Sequence, residues 1–462
     1  MEITVSNEIR IDEPTAEVLE WVRKNLTFTN PDYVKKQRMG FYTGNTPKTL
    51  CLYEKHGKSL FVPYGVLDSI LYISERVRAV GDFPPPAACD FGEGIPLYPY
   101  QEKAVEACAR ARHGILKSPA GSGKTQMGLA LVQTLGRRAL WITHTLDLLE
   151  QSKRRAEAYF DRSLIGTISG GKVNIGEGIT FATVQTLSKL DLGRYRDEWD
   201  CVIVDECHRV AGSPTTVTQF YKVLSALSAR HKYGLSATVH RADGMTAAIY
   251  ALLGGIAYAV PDAEVTGRVM KVGIRRIDTG AGLTRCCYHT DGTLDYTGML
   301  DYLVHADARN ALIANLITEN RGKPGLILSD RLEQLELIME HLPGEVRADA
   351  VMVSGKMTTK AAKAARAQAI EDMRSGAKKY LFATYSLAKE GLDIPRLERL
   401  YLATPQKDYA VITQSIGRIA RTCDGKRDPI CYDFVDFGEY FVRAYKRRAA
   451  VYRKGGCYFI EV

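Results

Sequence analysis

"GILKSPAGSGKTQMGLALV", residues 114–132, decides how the rest of the chain is read. An apolar run leads into a turn holding Gly121 and Gly123, and a Lys-Thr pair then opens a helix-prone stretch. These are the parts of a phosphate-binding loop. Glycines let backbone N–H groups close around an anion, and the helix N-terminus adds its positive dipole end. The Walker A pattern, G-x-x-x-x-G-K-[ST], has a glycine where Ser118 stands here. On this reading Pro119, Ala120, Gly121, Ser122 and Gly123 form the cradle, Lys124 reaches the β and γ phosphates of a nucleoside triphosphate, and Thr125 holds Mg²⁺. The competing reading is a plain glycine turn, which the strand before it and the helix after it argue against.

The loop alone says only NTPase; "VIVDECHRV" (202–210) sharpens the claim. It places Asp205 and Glu206 at the end of an apolar strand, where two carboxylates need a cation or a proton to offset desolvation. Asp205 suits the Mg²⁺ shell and Glu206 suits polarising an attacking water. A solvated strand end is the plainer alternative.

Outward from this pair, the chain divides into three blocks. Residues 1–90 are rich in aromatic and basic groups and end at "GDFPPPAACDFGEG", a proline break that reads as a linker. Residues 91–265 alternate helical stretches with the runs "GILKS", "RALWIT", "GITFAT", "CVIVDE" and "HKYGLSAT". Residues 266–462 repeat the rhythm with "KPGLILS", "DAVMVSG", "KYLFATY", "LERLYLAT" and "PICYDFVD". Short, continuously apolar strands between helices mean parallel sheets covered on both faces. The fold class is therefore α/β: two tandem doubly wound domains, preceded by a small N-terminal α+β domain.

The motifs on these strand ends resemble superfamily 2 helicases, in which the two α/β domains are RecA-like. "SPAGSGKT" and "DECH" look like motifs I and II, where a small residue often replaces the first Walker glycine. "LYPYQEKAVE" resembles the Q-motif region, which implies that Gln101 reads adenine through paired amide hydrogen bonds. "WITHTLDLLEQ" and "TVQTL" resemble motifs Ia and Ib, and with Arg241 and Thr384 they place Thr143, His144, Thr183 and Gln185 along a nucleic-acid backbone. "LSATVHR" resembles motif III, with Ser236 and Thr238 coupling the γ-phosphate site to the strand track. "ATYSLAKEGLDIP" resembles motif V, adding Gly391 and Asp393 to the nucleotide site, and "QSIGRIAR" matches motif VI, Q-x-x-G-R-x-x-R. The resemblance implies that Gln414, Arg418 and Arg421 reach across from the second domain, with the two arginines stabilising charge on the γ-phosphoryl of ATP.

"LSATVHRADGMTAAIYALLGG" is similar to the branch that holds excision-repair helicases and the fork-remodelling helicases of large tailed phages. The first block resembles the phage group's small substrate domain. This implies an ATP- and Mg²⁺-dependent DNA helicase acting on single-stranded, forked or branched DNA with 3′-to-5′ polarity, as a monomer in the host cytoplasm.

Composition agrees with that partner. The formal charge of +9 favours a polyanion. The start does not read as a signal peptide, and no stretch approaches the roughly 20 apolar residues of a membrane span. Ten cysteines form no C-x-x-C and no Cys/His cluster, so they read as reduced cytosolic thiols without a structural metal. Three rivals remain to be weighed. A restriction-enzyme motor is disfavoured because its nuclease core would carry E-x-K, and none occurs. An RNA helicase is not excluded by "GLDIP", although His208 departs from the DEAD form. A catalytically dead scaffold is disfavoured by the intact Lys124, Asp205, Glu206, Arg418 and Arg421.

Two further stretches carry expectations. "TRCCYHTDGTLDYTG" (284–298) predicts a protruding Asp-Gly hairpin outside any core, with Tyr288, His289 and Tyr296 available for base stacking as a wedge or guide. "KRRAAVYRKGG" (446–456) reads as either a phosphate-contacting stripe or a solvated helix face.

Overall fold

The computed structural model describes residues 1–74, 79–86, 88–119, 121–211, 213–239, 245–265, 270–353, 360–389, 392, 394–406 and 408–461. Two compact units are formed, Met1–Val265 and Thr266–Val462.

In the first unit an eight-stranded sheet carries the nucleotide-binding motifs. Across the sheet the order is Lys172–Asn174, Ile165–Ser169, Ile179–Thr183, Ala139–Thr143, Cys201–Asp205, His231–Ser236, His113–Lys117, Ile256–Ala259. Every pairing is parallel except that of the first two strands. The strands Ala139–Thr143, Ile179–Thr183 and Cys201–Asp205 are buried along their whole length, as their unbroken apolar runs require. The helix Lys124–Leu135 lies tightly on this sheet through Gly128, where a Cβ would sit 2.7 Å from both Leu235 and Trp141. Sequence reading missed the strands Ile165–Ser169 and Ile256–Ala259, which are respectively short with two glycines nearby and partly exposed.

The N-terminal block forms a five-stranded sheet in the order Glu54–His56, Ser59–Val62, Ile9–Asp12, Glu2–Val5, Ala79–Gly81. This block has its own sheet but packs closely into the first unit. Ile3, Val5, Ile9, Ile11, Val62 and Ile70 share one continuous apolar core with Ile115, Val204, Val223 and Leu253. The turn Tyr64–Val66 seats on the helix Thr246–Leu253 so closely that a Cβ at Gly65 would meet the Gly254 nitrogen at 2.4 Å. Polar ties close the seam: Lys232, fully buried, donates to the Asn7 carbonyl at 2.7 Å and the Leu224 carbonyl at 2.8 Å. Tyr64 donates to the Arg230 carbonyl, and Arg230 to the Pro84 carbonyl.

The second unit is a seven-stranded, wholly parallel sheet. Its order is Ala350–Val353, Tyr380–Thr384, Gly325–Ser329, Arg399–Leu402, Ile430–Phe437, Gly273–Gly282, Tyr458–Ile460. The stretch 284–298 differs from expectation. Arg285–Cys287 is a single 3-10 turn, and Tyr296–Val304 is a helix whose cap, Asp295, accepts from Thr297 N. The expected hairpin is reduced to one antiparallel bridge, Tyr288 with Leu294, around a tight turn at Gly292, φ +81°, closed by bonds from His289 N to the Thr293 carbonyl and from Asp295 N to the Cys287 carbonyl. The base of the turn is core, because Cys287 packs with Met299, Leu303, Val435 and Phe441.

Among the described residues, no helix is long and apolar enough to cross a membrane.

Candidate active site

The phosphate loop joins the end of the strand His113–Lys117 to the helix Lys124–Leu135. Gly121 and Gly123 take φ +83° and +82°, a conformation that glycine adopts without Cβ strain. At Gly123 a Cβ would also lie 2.5 Å from Gln101 Nε2. Ser118 is fully buried, bonds to the neighbouring strand through its N–H to the Ser236 carbonyl, and pairs its hydroxyl with that of Ser122. Ser122 in turn donates to the Pro119 carbonyl at 2.7 Å. The serine at the first Walker position therefore braces the loop from beneath. Lys124 follows the loop, its ammonium 3.5 Å from the Pro119 carbonyl. Ala120 lies outside the described residues.

Gln101 is placed differently from the adenine-reading expectation. It is 1% exposed, its Oε1 accepts from Tyr98 N and its Nε2 donates to the Ser122 carbonyl, both at 2.9 Å. Tyr100 donates to that same carbonyl. The amide thus holds the loop to the helix Pro99–Ala111, because both of its ends find partners there.

Asp205 ends its strand 6% exposed. Its carboxylate accepts from Glu206 N at 2.9 Å and from the Ser152 hydroxyl at 3.1 Å. Burial pushes its pKa up and the neighbouring Glu206 charge adds to this, while Lys124 pulls the other way. A buried carboxylate penalised in this way suits a divalent cation, which restores the charge balance that burial upsets. Glycines closing on a helix N-terminus, a lysine beside them and this carboxylate fit a Mg²⁺-bound nucleoside triphosphate.

Glu206 stands at φ +48°, one of few non-glycine residues with positive φ among those described. Its Oε2 lies 3.2 Å from His208 Nδ1, which is also 3.0 Å from the Ser236 hydroxyl. Ser236 donates onward to the Thr238 carbonyl at 2.7 Å and accepts from Thr238 N. Motifs II and III therefore meet at His208, which is hydrogen-bonded to Ser236 and lies in ion-pair range of Glu206, and to which the sequence reading gave no role. A histidine two residues past Glu206 was the available signal.

The candidate nucleic-acid contacts separate into two kinds. Thr143 is fully buried and donates to the Thr145 carbonyl. Thr183 is 4% exposed and caps the helix Val184–Leu187. Both hydroxyls bond within the local chain. His144 and Gln185 are half-buried and joined, Gln185 Nε2 reaching His144 Nδ1 at 3.1 Å and the His144 carbonyl at 3.0 Å. Arg241 lies outside the described residues.

In the second unit, Gln414 and Arg418 lie on the helix Tyr409–Ile419, and Arg421 follows it. Thr384 ends its strand with its hydroxyl 2.8 Å from that of Ser386. Gly391 and Asp393 lie outside the described residues.

Comparison with known proteins gives these sites their class. Residues 94–241 match the family "Type III restriction enzyme, res subunit", and residues 308–423 match "Helicase conserved C-terminal domain". The chain is a superfamily 2 helicase, with tandem RecA-like domains, and such helicases are ATP-dependent enzymes that act on nucleic acid. Among individual proteins, it is 27% identical over 442 residues to the "Probable helicase D10" of Escherichia phage T5, covering 92% of this chain and 91% of that one. It is 26% identical over 338 residues to the "Putative DNA 3'-5' helicase Rad25" of Halobacterium salinarum, covering 70% of this chain and 50% of that one. A solved structure of S. cerevisiae Dbp5, bound to RNA and ADP BeF3, matches with TM-score 0.54 at 16% identity, covering 79% of this chain and 94% of that one. At that identity the likeness is one of fold.

Proposed function

We propose that this chain is an ATP-driven DNA translocase that unwinds or remodels forked and branched DNA with 3′-to-5′ polarity. The observation that carries the reading is the buried Asp205 beside a braced phosphate loop, with Glu206 next to it 3.2 Å from His208, which hydrogen-bonds Ser236 of motif III. The phage and archaeal relatives, one named as a DNA 3'-5' helicase, support DNA as the track.

Residues 119–125 cradle the triphosphate, with Lys124 on its β and γ phosphates. Thr125 and Asp205 hold the Mg²⁺, which neutralises charge on the phosphates when bound. Glu206 orients and polarises the attacking water, and His208 keeps its carboxylate aimed. Arg418 and Arg421, with Gln414, stabilise the charge that develops on the γ-phosphoryl, and Gly391 and Asp393 belong to the same nucleotide site. Ser236 and Thr238 pass the state of that site toward the strand track, for which His144, Gln185, Arg241 and Thr384 are the proposed contacts.

The N-terminal block takes part through one arm. Residues 31–48 project from the two-stranded sheet Thr27–Thr29/Thr49–Cys51, and the helix Pro31–Arg38 buries no side chain. Lys35, Arg38 and Lys48 are exposed there beside Phe41 and Tyr42, which are 63% and 82% exposed. Cations with aromatic faces between them suit phosphates and unstacked bases.

Strand displacement on forks and junctions with tails of either polarity tests the reading. A 3′ tail should be required, and hydrolysis should be stimulated by single-stranded DNA more than by RNA. Stronger stimulation by RNA would favour an RNA helicase, the alternative that the fold shared with Dbp5 keeps open. Lys124→Ala should weaken nucleotide binding, whereas Glu206→Gln should bind nucleotide and hardly turn over.

A further inference from the structure

The geometry points to Arg448 as a positioning residue for the motif VI arginines, an inference that rests on the hydrolytic role proposed above for Arg418. Arg448 lies on the helix Glu439–Lys454, beyond residue 423, where the match to the helicase C-terminal family ends. It therefore belongs to a part of the chain to which the family assignment gives no role.

Within the basic stretch 446–456 it is set apart by burial. Lys446 and Arg447 are exposed, but Arg448 is 2% exposed and Asp433, its partner on the strand Ile430–Phe437, is fully buried. The guanidinium grips both carboxylate oxygens, Nε to Oδ2 at 2.8 Å and Nη2 to Oδ1 at 2.7 Å. Tyr452 donates to the same carboxylate at 2.6 Å. Replacing such a buried pair by apolar groups is often neutral for stability, so the pair calls for a reason beyond folding.

The third guanidinium nitrogen supplies one. Arg448 Nη1 donates to the Gln406 carbonyl at 3.1 Å. Gln406 belongs to the short connection between the strand Arg399–Leu402 and the helix Tyr409–Ile419, which carries Gln414 and Arg418. The same connection is pinned at Thr404, whose carbonyl accepts from the motif V residue Tyr385 and whose hydroxyl accepts from Asp330 N, both at 2.9 Å. At its far end Asp408 caps the helix through Val411 N. Lys454 lies 5.5 Å from the ring of Tyr409, a second tie from the terminal helix to the first residue of the motif VI helix. A rigid fork anchored on Asp433 thus sets where the motif VI helix begins. Lysine cannot hold two oxygens and a carbonyl in one plane, so the device needs arginine.

The test is a double-mutant cycle on DNA-stimulated hydrolysis in the full chain. Arg448→Lys and Arg448→Met should each lower kcat about 10-fold or more while the affinity for a non-hydrolysed ATP analogue stays within about 2-fold, because angstrom-scale misplacement of a catalytic group costs up to about 100-fold. In an Arg418→Ala background the same substitutions should lower kcat by clearly less than in the parent, because the group they misplace most is already gone. Additive losses in that background, or an unchanged kcat in both single variants, would overturn the inference. Should Arg448→Met fold poorly, Asp433→Leu with Arg448→Met replaces the pair by an apolar one and must still lose kcat. If Arg418→Ala itself left kcat intact, the proposed role of Arg418 would fail instead, and a kcat loss in Arg448→Lys would then refute action through Arg418.

Discussion

Glu206 holds a left-handed backbone conformation that costs a residue with a Cβ about 1–3 kcal/mol. The turn lets its own N–H bond the Asp205 carboxylate while its side chain reaches His208. Asp205 is buried beside it, and both burial and the Glu206 charge raise its pKa. A raised carboxyl pKa means that the folded state is penalised above that pKa, where it carries a buried charge, and is relieved as pH falls through it. For binding the sign is opposite, since Mg²⁺ needs the carboxylate, so Mg²⁺-dependent nucleotide binding should weaken on the acid side earlier than for an ordinary aspartate. Glu206→Gln removes one of the two causes. Its acid limb, measured with a fluorescent nucleotide, should move to lower pH; a limb that stays in place would show that Glu206 does not act on Asp205.

Among the elements, the phosphate loop shows what a departure from a pattern can mean. Ser118→Gly restores the Walker consensus but removes a buried hydroxyl pair and frees the backbone. Loss of about 1–2 kcal/mol is expected in denaturant unfolding of the first unit, together with a higher KM for ATP. An unchanged midpoint would mean that the serine contributes nothing. The turn at 288–294 needs a narrower experiment than its sequence suggested. Cys287 belongs to an apolar cluster, so replacing it would disturb the helix Tyr296–Val304 as well. A Gly-Ser swap confined to residues 289–292 touches only the tip, where His289 N donates to the Thr293 carbonyl. Strand displacement should fall several-fold with DNA-stimulated hydrolysis largely kept, if the tip guides a strand. Equal loss or retention of both activities would reduce it to a connection.

At the scale of the whole molecule, the seam inside the first unit matters most. Starting the chain near Phe91 would strip Lys232 of the Asn7 carbonyl and expose the core that Ile3, Val5, Ile9 and Ile70 cover. Burial lowers the Lys232 pKa to about 7, so uncovering the ammonium relieves its desolvation, and the loss of stability comes from the apolar core left exposed to water. The truncated chain should therefore melt well below the full chain and lose hydrolysis with it. Retention of full ATPase activity and melting temperature would show that the N-terminal sheet is dispensable. A cleaner probe of the arm leaves the seam alone: Phe41→Ala with Tyr42→Ala should preserve melting and single-strand-stimulated hydrolysis while weakening binding to branched DNA. Unchanged binding would remove the arm from the track.

The fold class and most strands were legible in the sequence because a parallel sheet covered on both faces demands unbroken apolar runs, as in "CVIVD" and "GLILS". The order of Lys124, Asp205 and Ser236 was legible for a related reason, since each stands at a strand end or helix start that the run lengths fix, whereas Arg418, in the last turn of its helix, was legible only through its motif. Other features depend on groups far apart in the chain. Gln101 braces Ser122, Asn7 accepts from Lys232, and Arg448 joins Asp433 to Gln406. Sequence periodicity reports how each segment is half-buried, but a hydrogen bond between segments depends on where the tertiary fold sets two polar atoms. That placement decided that the N-terminal sheet packs its core against the next one, that two motif threonines bond within their own turns, and that one arginine of a basic stretch points into the core.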